Sequence, residues 1–281
     1  MAKVNYQKYY QELMLDLFWE SPSEAYVWYQ KKRKIISYLT KILPKIPDNS
    51  RFLDIACNTG KDMFMINKLL KTKKIKDYVG IDISQSVIDV AKAFSKREKL
   101  TNFHFYLGDI TKDLPKSLGH FDVILCSELI EHLDHQDKFL LKIKSLLNPG
   151  GHLILTTPDK SSFIKKLILK LFPNVSEYQS WYFDRRGNHI KKEKEMYMVK
   201  NPTLSQHIGE LSKKELREKI NDVGLTTLKL ESSCISYGSP VLDNNKFLFW
   251  VWLFIENLPL VSKRLGGDSC MLALLPKKSR V

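Results

Sequence analysis

Glu128, Glu131, His132 and His135 stand at positions i, i+3, i+4 and i+7. On a helix these four would share one face. Two carboxylates beside imidazole suit a divalent ion such as Mg²⁺, Mn²⁺, Fe²⁺ or Zn²⁺. The expected ligands are Glu128, Glu131 and His132, with His207 as the distant fourth. The same residues suit proton transfer. His132 is the leading general base, because an unperturbed imidazole titrates near neutrality, and Glu131 is second. Asp134, with Asp137 three positions on, marks a helix start near His135. That start would leave residues 128–132 in the preceding loop.

Three further carboxylates close apolar stretches. The first lies in Asp54-Ile-Ala-Cys-Asn-Thr-Gly60, between an apolar run at 52–55 and a helical pattern at 61–70. A strand, a turn of small residues and a helix bring backbone N–H groups against a ligand at the helix N-terminus. Ala56 and Asn58 stand where a dinucleotide fingerprint would have glycine. Asp82 ends the next apolar run, about 20 residues after the turn, where a carboxylate accepts both protons of a ribose diol. Asp109 follows the third run in Leu-Gly-Asp-Ile, where it could accept from an exocyclic amine while Ile110 packs a ring face.

The elements that must position these residues alternate. Strands are expected at 51–56, 77–83, 102–107, 121–126 and 152–157, with helices at 61–70, 85–94 and 136–147 between them. Ser84 reads as an N-cap. Asn148-Pro-Gly-Gly151 reads as a sharp turn. Continuous apolar strands separated by helices argue for an α/β protein, its parallel sheet covered on both faces. A helical lead-in precedes the sheet, broken at Ser21-Pro22-Ser23, and could cover a pocket mouth. Residues 159–206 interrupt the alternation and read as a substrate-side insertion. Ser212 and Glu215 make a capping box for a helix at 212–223, with Gly224 at its C′ position. Strands follow at 225–233 and 269–275.

The 281 residues are 43% hydrophobic and 27% charged, which excludes a wholly disordered or repeat-built chain. Four widely spaced cysteines form neither a CxxC pair nor a zinc pattern, and point to free thiols in a reducing compartment. The N-terminus has no apolar signal core. A net charge of +14 suits either an anionic partner or a lysine-rich solvated surface.

Taken together, Asp54–Gly60, Asp82–Ile83, Asp109–Ile110, Ser127–His132 and Asn148–Gly151 resemble the class I S-adenosylmethionine-dependent methyltransferases. The nearest likeness is to the ubiquinone-biosynthesis-like, type 11/23 branch. It covers residues 51–157 well and 207–225 weakly. The resemblance implies a Rossmann-like fold with a mostly parallel seven-stranded sheet. It also implies insertions after strands 5 and 6, at 159–206 and 243–264, and a helical cap at 1–50 before a methyltransferase domain at 51–281. Carried over, Asp54, Ala56, Asn58 and Gly60 would line the methionine end of S-adenosylmethionine. Asp82 would hold the ribose and Ile83 would flank the adenine. Asp109 would meet the adenine amine beside Ile110, and Ser127 would lie near the sulfonium. Glu-x-x-Glu-His resembles metal-dependent ubiquinone-type O-methyltransferases and small-RNA 3′-terminal 2′-O-methyltransferases.

The expected reaction is methylation of a small or lipid-like acceptor, at oxygen, in the cytoplasm. An RNA methyltransferase is the first alternative. It lacks support from an Asn-Pro-Pro-Tyr motif, a nucleophilic Pro-Cys or Thr-Cys, or an appended RNA-binding motif. A non-catalytic cofactor-binding scaffold is the second, prompted by Asn58. Residues 247–255, Phe-Leu-Phe-Trp-Val-Trp-Leu-Phe-Ile, are too few to span a bilayer. They read either as a buried helix between the last two strands or as a peripheral membrane or lipid contact.

Overall fold

Runs of Ile, Leu, Val and Phe build a seven-stranded sheet in this computed structural model, which describes residues 22–112, 118–163, 209–235, 245–258 and 266–277. The elements run α1 (Pro22–Ile42), β1 (Ser50–Ile55), α2 (Lys61–Leu70), β2 (Ile75–Asp82), α3 (Gln85–Arg97), β3 (Phe103–Leu107) and β4 (Phe121–Ser127). A 3₁₀ turn at Ile130–His132 follows, then α4 (Gln136–Leu146), β5 (Leu147–Pro158), α5 (Lys213–Asp222), β6 (Thr226–Glu231), α6 (Lys246–Glu256) and β7 (Asp268–Leu274). The strand order is β3-β2-β1-β4-β5-β7-β6. The first five pair in parallel, and β7 runs antiparallel to both neighbours. This is the Rossmann-like architecture expected from the sequence.

Successive strand residues face opposite sides of the sheet, so each strand supplies two cores. Phe52, Tyr78 and Val123 join Met63, Phe64 and Ile88 of α2 and α3, and Ile35, Tyr38 and Leu39 of α1. Their neighbours Leu53, Val79 and Ile124 join Leu140 and Ile143 of α4 and Leu216 and Ile220 of α5. Full burial of each such side chain contributes about 2 kcal/mol. The strand order reverses between β1 and β4, at the crevice where ligands bind in open α/β sheets.

Three local expectations change. The 148–151 segment is part of β5 rather than a turn outside it. Gly150 N–H donates to the Leu275 carbonyl at 2.8 Å, and Leu275 N–H to that of Gly151 at 2.9 Å. Ser84 occupies the N-cap of α3 without capping it; its hydroxyl pairs with Ser86 instead. The apolar helix α6 does lie between the last two strands, but Phe247, Trp250 and Phe254 are exposed. By contrast the Ser212–Glu215 capping box is complete, and Gly224 has φ 80°. Most of the 159–206 insertion lies outside the described residues.

Candidate active site

The β1–α2 turn owes its shape to backbone angles that its residues rarely take. Ala56 has φ 58° and Asn58 φ 50°, both in the left-handed region that favours glycine. The non-glycine residues therefore keep a glycine-type turn. Asn58 tolerates it, with its side-chain oxygen accepting the Thr59 N–H at 2.7 Å. Gly60, at φ 74°, is required twice over: a Cβ there would stand 2.7 Å from the Phe105 ring. Gly80 on the adjoining strand is equally hemmed, with Cys57 Sγ and Met63 Cε each 2.7 Å from its would-be Cβ. β1 and β2 thereby lie tight under the turn.

Asp82 binds this turn to the next one. One carboxylate oxygen accepts Asn58 N–H at 2.8 Å and the other accepts Ser84 N–H at 2.9 Å. It is half-buried and keeps free lone pairs for a diol. Ile83 beside it is exposed. Asp109 accepts both the N–H and the hydroxyl of Thr111, and Lys112 stands 3.7 Å away. Burial raises its pKa, but those bonds and that charge outweigh it and hold the carboxyl below its ordinary range. Ile110 is buried in the second core, unlike Ile83.

Asp54 is buried, and burial pushes its carboxyl well above the usual range. The Asp62 carboxylate adds to this, Lys32 opposes it, and Asp82 adds again. The buried Lys32 ammonium pairs with Asp62. One residue earlier, the fully buried Lys31 reaches Glu128 at 2.7 Å. Burial works against its charge, yet Glu128, then Asp268, outweighs it and raises its pKa. Sequence reasoning missed both lysines, since Lys31-Lys32-Arg33-Lys34 reads as a solvated run.

Glu128 has φ 54°, and its N–H donates to the Thr156 carbonyl at 2.9 Å. Thr156 Oγ1 donates to Glu128 Oε1 at 2.9 Å and lies 2.9 Å from Ser127 Oγ. With the Thr156 proton so used, Ser127 is the donor to it, and Ser127 Oγ is left as an acceptor. Thr157 Oγ1 donates to the buried Glu131 at 2.9 Å, and His132 Nε2 lies 4.0 Å from Glu131 Oε1.

Glu128, Glu131 and His132 do not share a helix face. They span a 3₁₀ turn, and α4 starts only after His135. Glu128 is engaged by Lys31 and Glu131 by Thr157. Among the described residues no three His, Cys, Asp or Glu side chains converge for a metal. The expected divalent-metal site is therefore corrected on the geometry of three of its four ligands; His207 lies outside the described residues.

The set fits a nucleoside. The buried Thr59 hydroxyl in the turn has no hydrogen-bond partner, which a polar ligand would satisfy. The Asp82 carboxylate suits a diol, and exposed Ile83 offers an apolar face.

The sequence profile of the methyltransferase-domain family matches residues 46–224. Ubiquinone biosynthesis O-methyltransferase of Coxiella burnetii (strain RSA 493 / Nine Mile phase I) is 33% identical over 109 residues, covering 39% of this chain and 44% of that protein. The mitochondrial ubiquinone biosynthesis O-methyltransferase of Saccharomyces cerevisiae is 29% identical over 172 residues, covering 57% of this chain and 52% of its own. The chain thus spans about half the length of the curated relatives it matches. Magnesium protoporphyrin IX methyltransferase from Synechocystis PCC 6803, solved with bound SAH, shares the fold: TM-score 0.56 at 12% identity, covering 96% of this chain and 94% of that one. Motif, fold and profile agree that the chain belongs to the class I S-adenosylmethionine-dependent methyltransferases.

Proposed function

We propose that this protein methylates an oxygen of a small, lipid-like acceptor. The observation that carries the cofactor side of the reading is Asp82 tying the β1–α2 turn to the end of β2 while keeping lone pairs for a ribose. Asp54, Ala56, Asn58 and Gly60 line the methionine end, Asp109 takes the adenine amine, and Ile83 and Ile110 flank the ring. When bound, the cofactor supplies an activated sulfonium methyl.

The residues of the chain then position and deprotonate. Ser127, whose oxygen is left as an acceptor beside Thr156, would offer that oxygen to the sulfonium of a bound cofactor. His132 takes the proton from the acceptor hydroxyl. Glu131, buried and held by Thr157, stabilises the resulting imidazolium and so acts through His132. Holding the reactants in line supplies most of the rate, since the leaving group is already activated.

In this reading the expected cap at 1–50, described from residue 22 on, precedes a methyltransferase domain at 51–281; most of the expected acceptor-side segment 159–206 and the ends of the one at 243–264 lie outside the described residues. α1 supports this through Lys31 and Lys32, which pair with Glu128 and Asp62 at the turns after β4 and β1. The oxygen-directed, lipid-like acceptor rests on the likeness to ubiquinone-biosynthesis O-methyltransferases and on the apolar exposure of α6. The four buried free thiols fit a reducing, cytoplasmic setting.

The test is S-adenosylhomocysteine release with a panel of prenylated catechols and phenols. Turnover that falls at least about 100-fold in His132→Gln, with cofactor affinity kept, supports the reading. Turnover unchanged in His132→Gln removes the base, and turnover only on amines or RNA removes the acceptor class.

A further inference from the structure

α6 is an 11-residue helix of sequence Lys-Phe-Leu-Phe-Trp-Val-Trp-Leu-Phe-Ile-Glu. Only a narrow stripe of it is used internally. Trp252, 9% exposed, meets Tyr26 of α1 edge-on at 5.3 Å and clusters with Val27 and Cys234. Glu256, 4% exposed, accepts the Ile235 N–H on both oxygens at 2.9 Å. The other side carries Phe247 (74% exposed), Trp250 (66%), Val251 (40%), Phe254 (68%) and, just past the helix, Leu258 (36%). Their spacing follows one helical face. Large aromatic side chains are rarely left in water in such a row.

We infer that this face is an interfacial anchor for an anionic lipid bilayer. Charge decides between a bilayer and other occupants. The one acidic side chain of α6 is Glu256, and it is turned inward. Lys246 at the helix start is exposed, as is Arg33 on α1, which donates to the Gln30 side chain at 3.4 Å, and Gln30 in turn donates to the hydroxyl of Tyr26, the residue against Trp252. The whole chain carries +14. An apolar face rich in Trp and Phe, with the exposed cations Lys246 and Arg33 near it and, among the described residues of α6, no outward-facing acid, matches the boundary between acyl chains and anionic head groups. It is too short to span, and no described helix is long and apolar enough to cross a membrane. α6 therefore lies in the interface plane.

The anchor connects to the site. Trp252 packs on the α1 segment that begins at Tyr26, and five residues on Lys31 of the same helix holds Glu128. A bilayer-seated α6 sets α1 and the turns it covers at the membrane surface, where a lipid-soluble acceptor is concentrated. This part deepens the methyltransferase reading and rests on it; the bilayer contact does not.

The test is co-sedimentation of the full chain with phosphatidylcholine vesicles, with and without phosphatidylglycerol, beside calorimetry of S-adenosylhomocysteine binding. Trp250→Glu/Phe254→Glu alters exposed positions only, unlike Trp252, and circular dichroism checks its fold. A second variant, Lys246→Glu, leaves every aromatic in place. The wild type should bind anionic vesicles at least about 10-fold more tightly than neutral ones. The double variant should lose at least about 10-fold with its S-adenosylhomocysteine affinity unchanged. Lys246→Glu should weaken only the anionic binding. Wild type that stays in the supernatant with both vesicles overturns the anchor. So does wild type that is dimeric in solution while Trp250→Glu/Phe254→Glu is monomeric, which would make the face a contact between copies. Vesicle binding without S-adenosylhomocysteine binding upholds the anchor and overturns the catalytic reading instead.

Discussion

Lys31, fully buried on α1, holds the Glu128 carboxylate at 2.7 Å across the end of β4. Glu128 in turn accepts from Thr156, which accepts from Ser127. A helix ahead of the sheet is thereby wired to the residue that follows the fourth strand. Removing one partner of such a pair strands the other, and that cost exceeds the value of the pair itself. Lys31→Met should lower stability by about 3 kcal/mol, read from urea unfolding. Lys31→Met/Glu128→Gln should recover part of that loss. Loss in the double variant equal to the sum of the single ones would show that the two residues act independently.

Ala56 bears a left-handed φ of 58° without the freedom of glycine. Ala56→Gly should therefore stabilise the protein by about 1 kcal/mol, because relief of backbone strain exceeds the extra freedom gained by the unfolded chain. Asn58→Gly should change stability less, since Asn already tolerates φ 50°. Chemical denaturation midpoints of the two variants check the order.

Gly60→Val should cost about 3 kcal/mol or more, from strain at φ 74° and overlap with Phe105. It should lower the melting temperature before it reports on any ligand. A Gly60→Val protein as stable as wild type would contradict the close packing of the turn.

Asp54 gives a pH signature. Its carboxyl is raised by burial, then by Asp62, against Lys32. The native state thus keeps a proton that the unfolded chain releases above about pH 4. Stability should fall as pH rises from there toward the folded value, because the native state binds more protons over that window. Asp54→Asn should lack this slope and be the more stable of the two near neutrality. Thermal melts from about pH 4 to about pH 7 check the sign.

How much of this was legible follows from locality. The β1–α2 turn, Asp82 and Asp109 were readable because each sits in a short strand–turn unit. The capping box at Ser212 is likewise a matter of three residues. Ser84 failed as a cap because its hydroxyl pairs with that of Ser86, two residues on, instead of with the backbone of the first turn. The Glu-Glu-His face failed because helical spacing was applied across a loop and a short 3₁₀ turn, where both carboxylates already had partners. Lys31 and Lys32 were invisible because their partners lie 97 and 30 residues away in sequence. The exposure of α6 could not be read from a uniformly apolar stretch, whose pattern fits burial and a lipid contact equally.

The Asp82 carboxylate bears the weight of the nucleoside site, so calorimetry of S-adenosylmethionine binding to wild type and Asp82→Asn is the decisive measurement. Saturable one-to-one binding by wild type, weakened by about 30-fold or more in a folded Asp82→Asn, is the predicted result. Equal affinity in the two proteins, or none in wild type, would contradict the site described here.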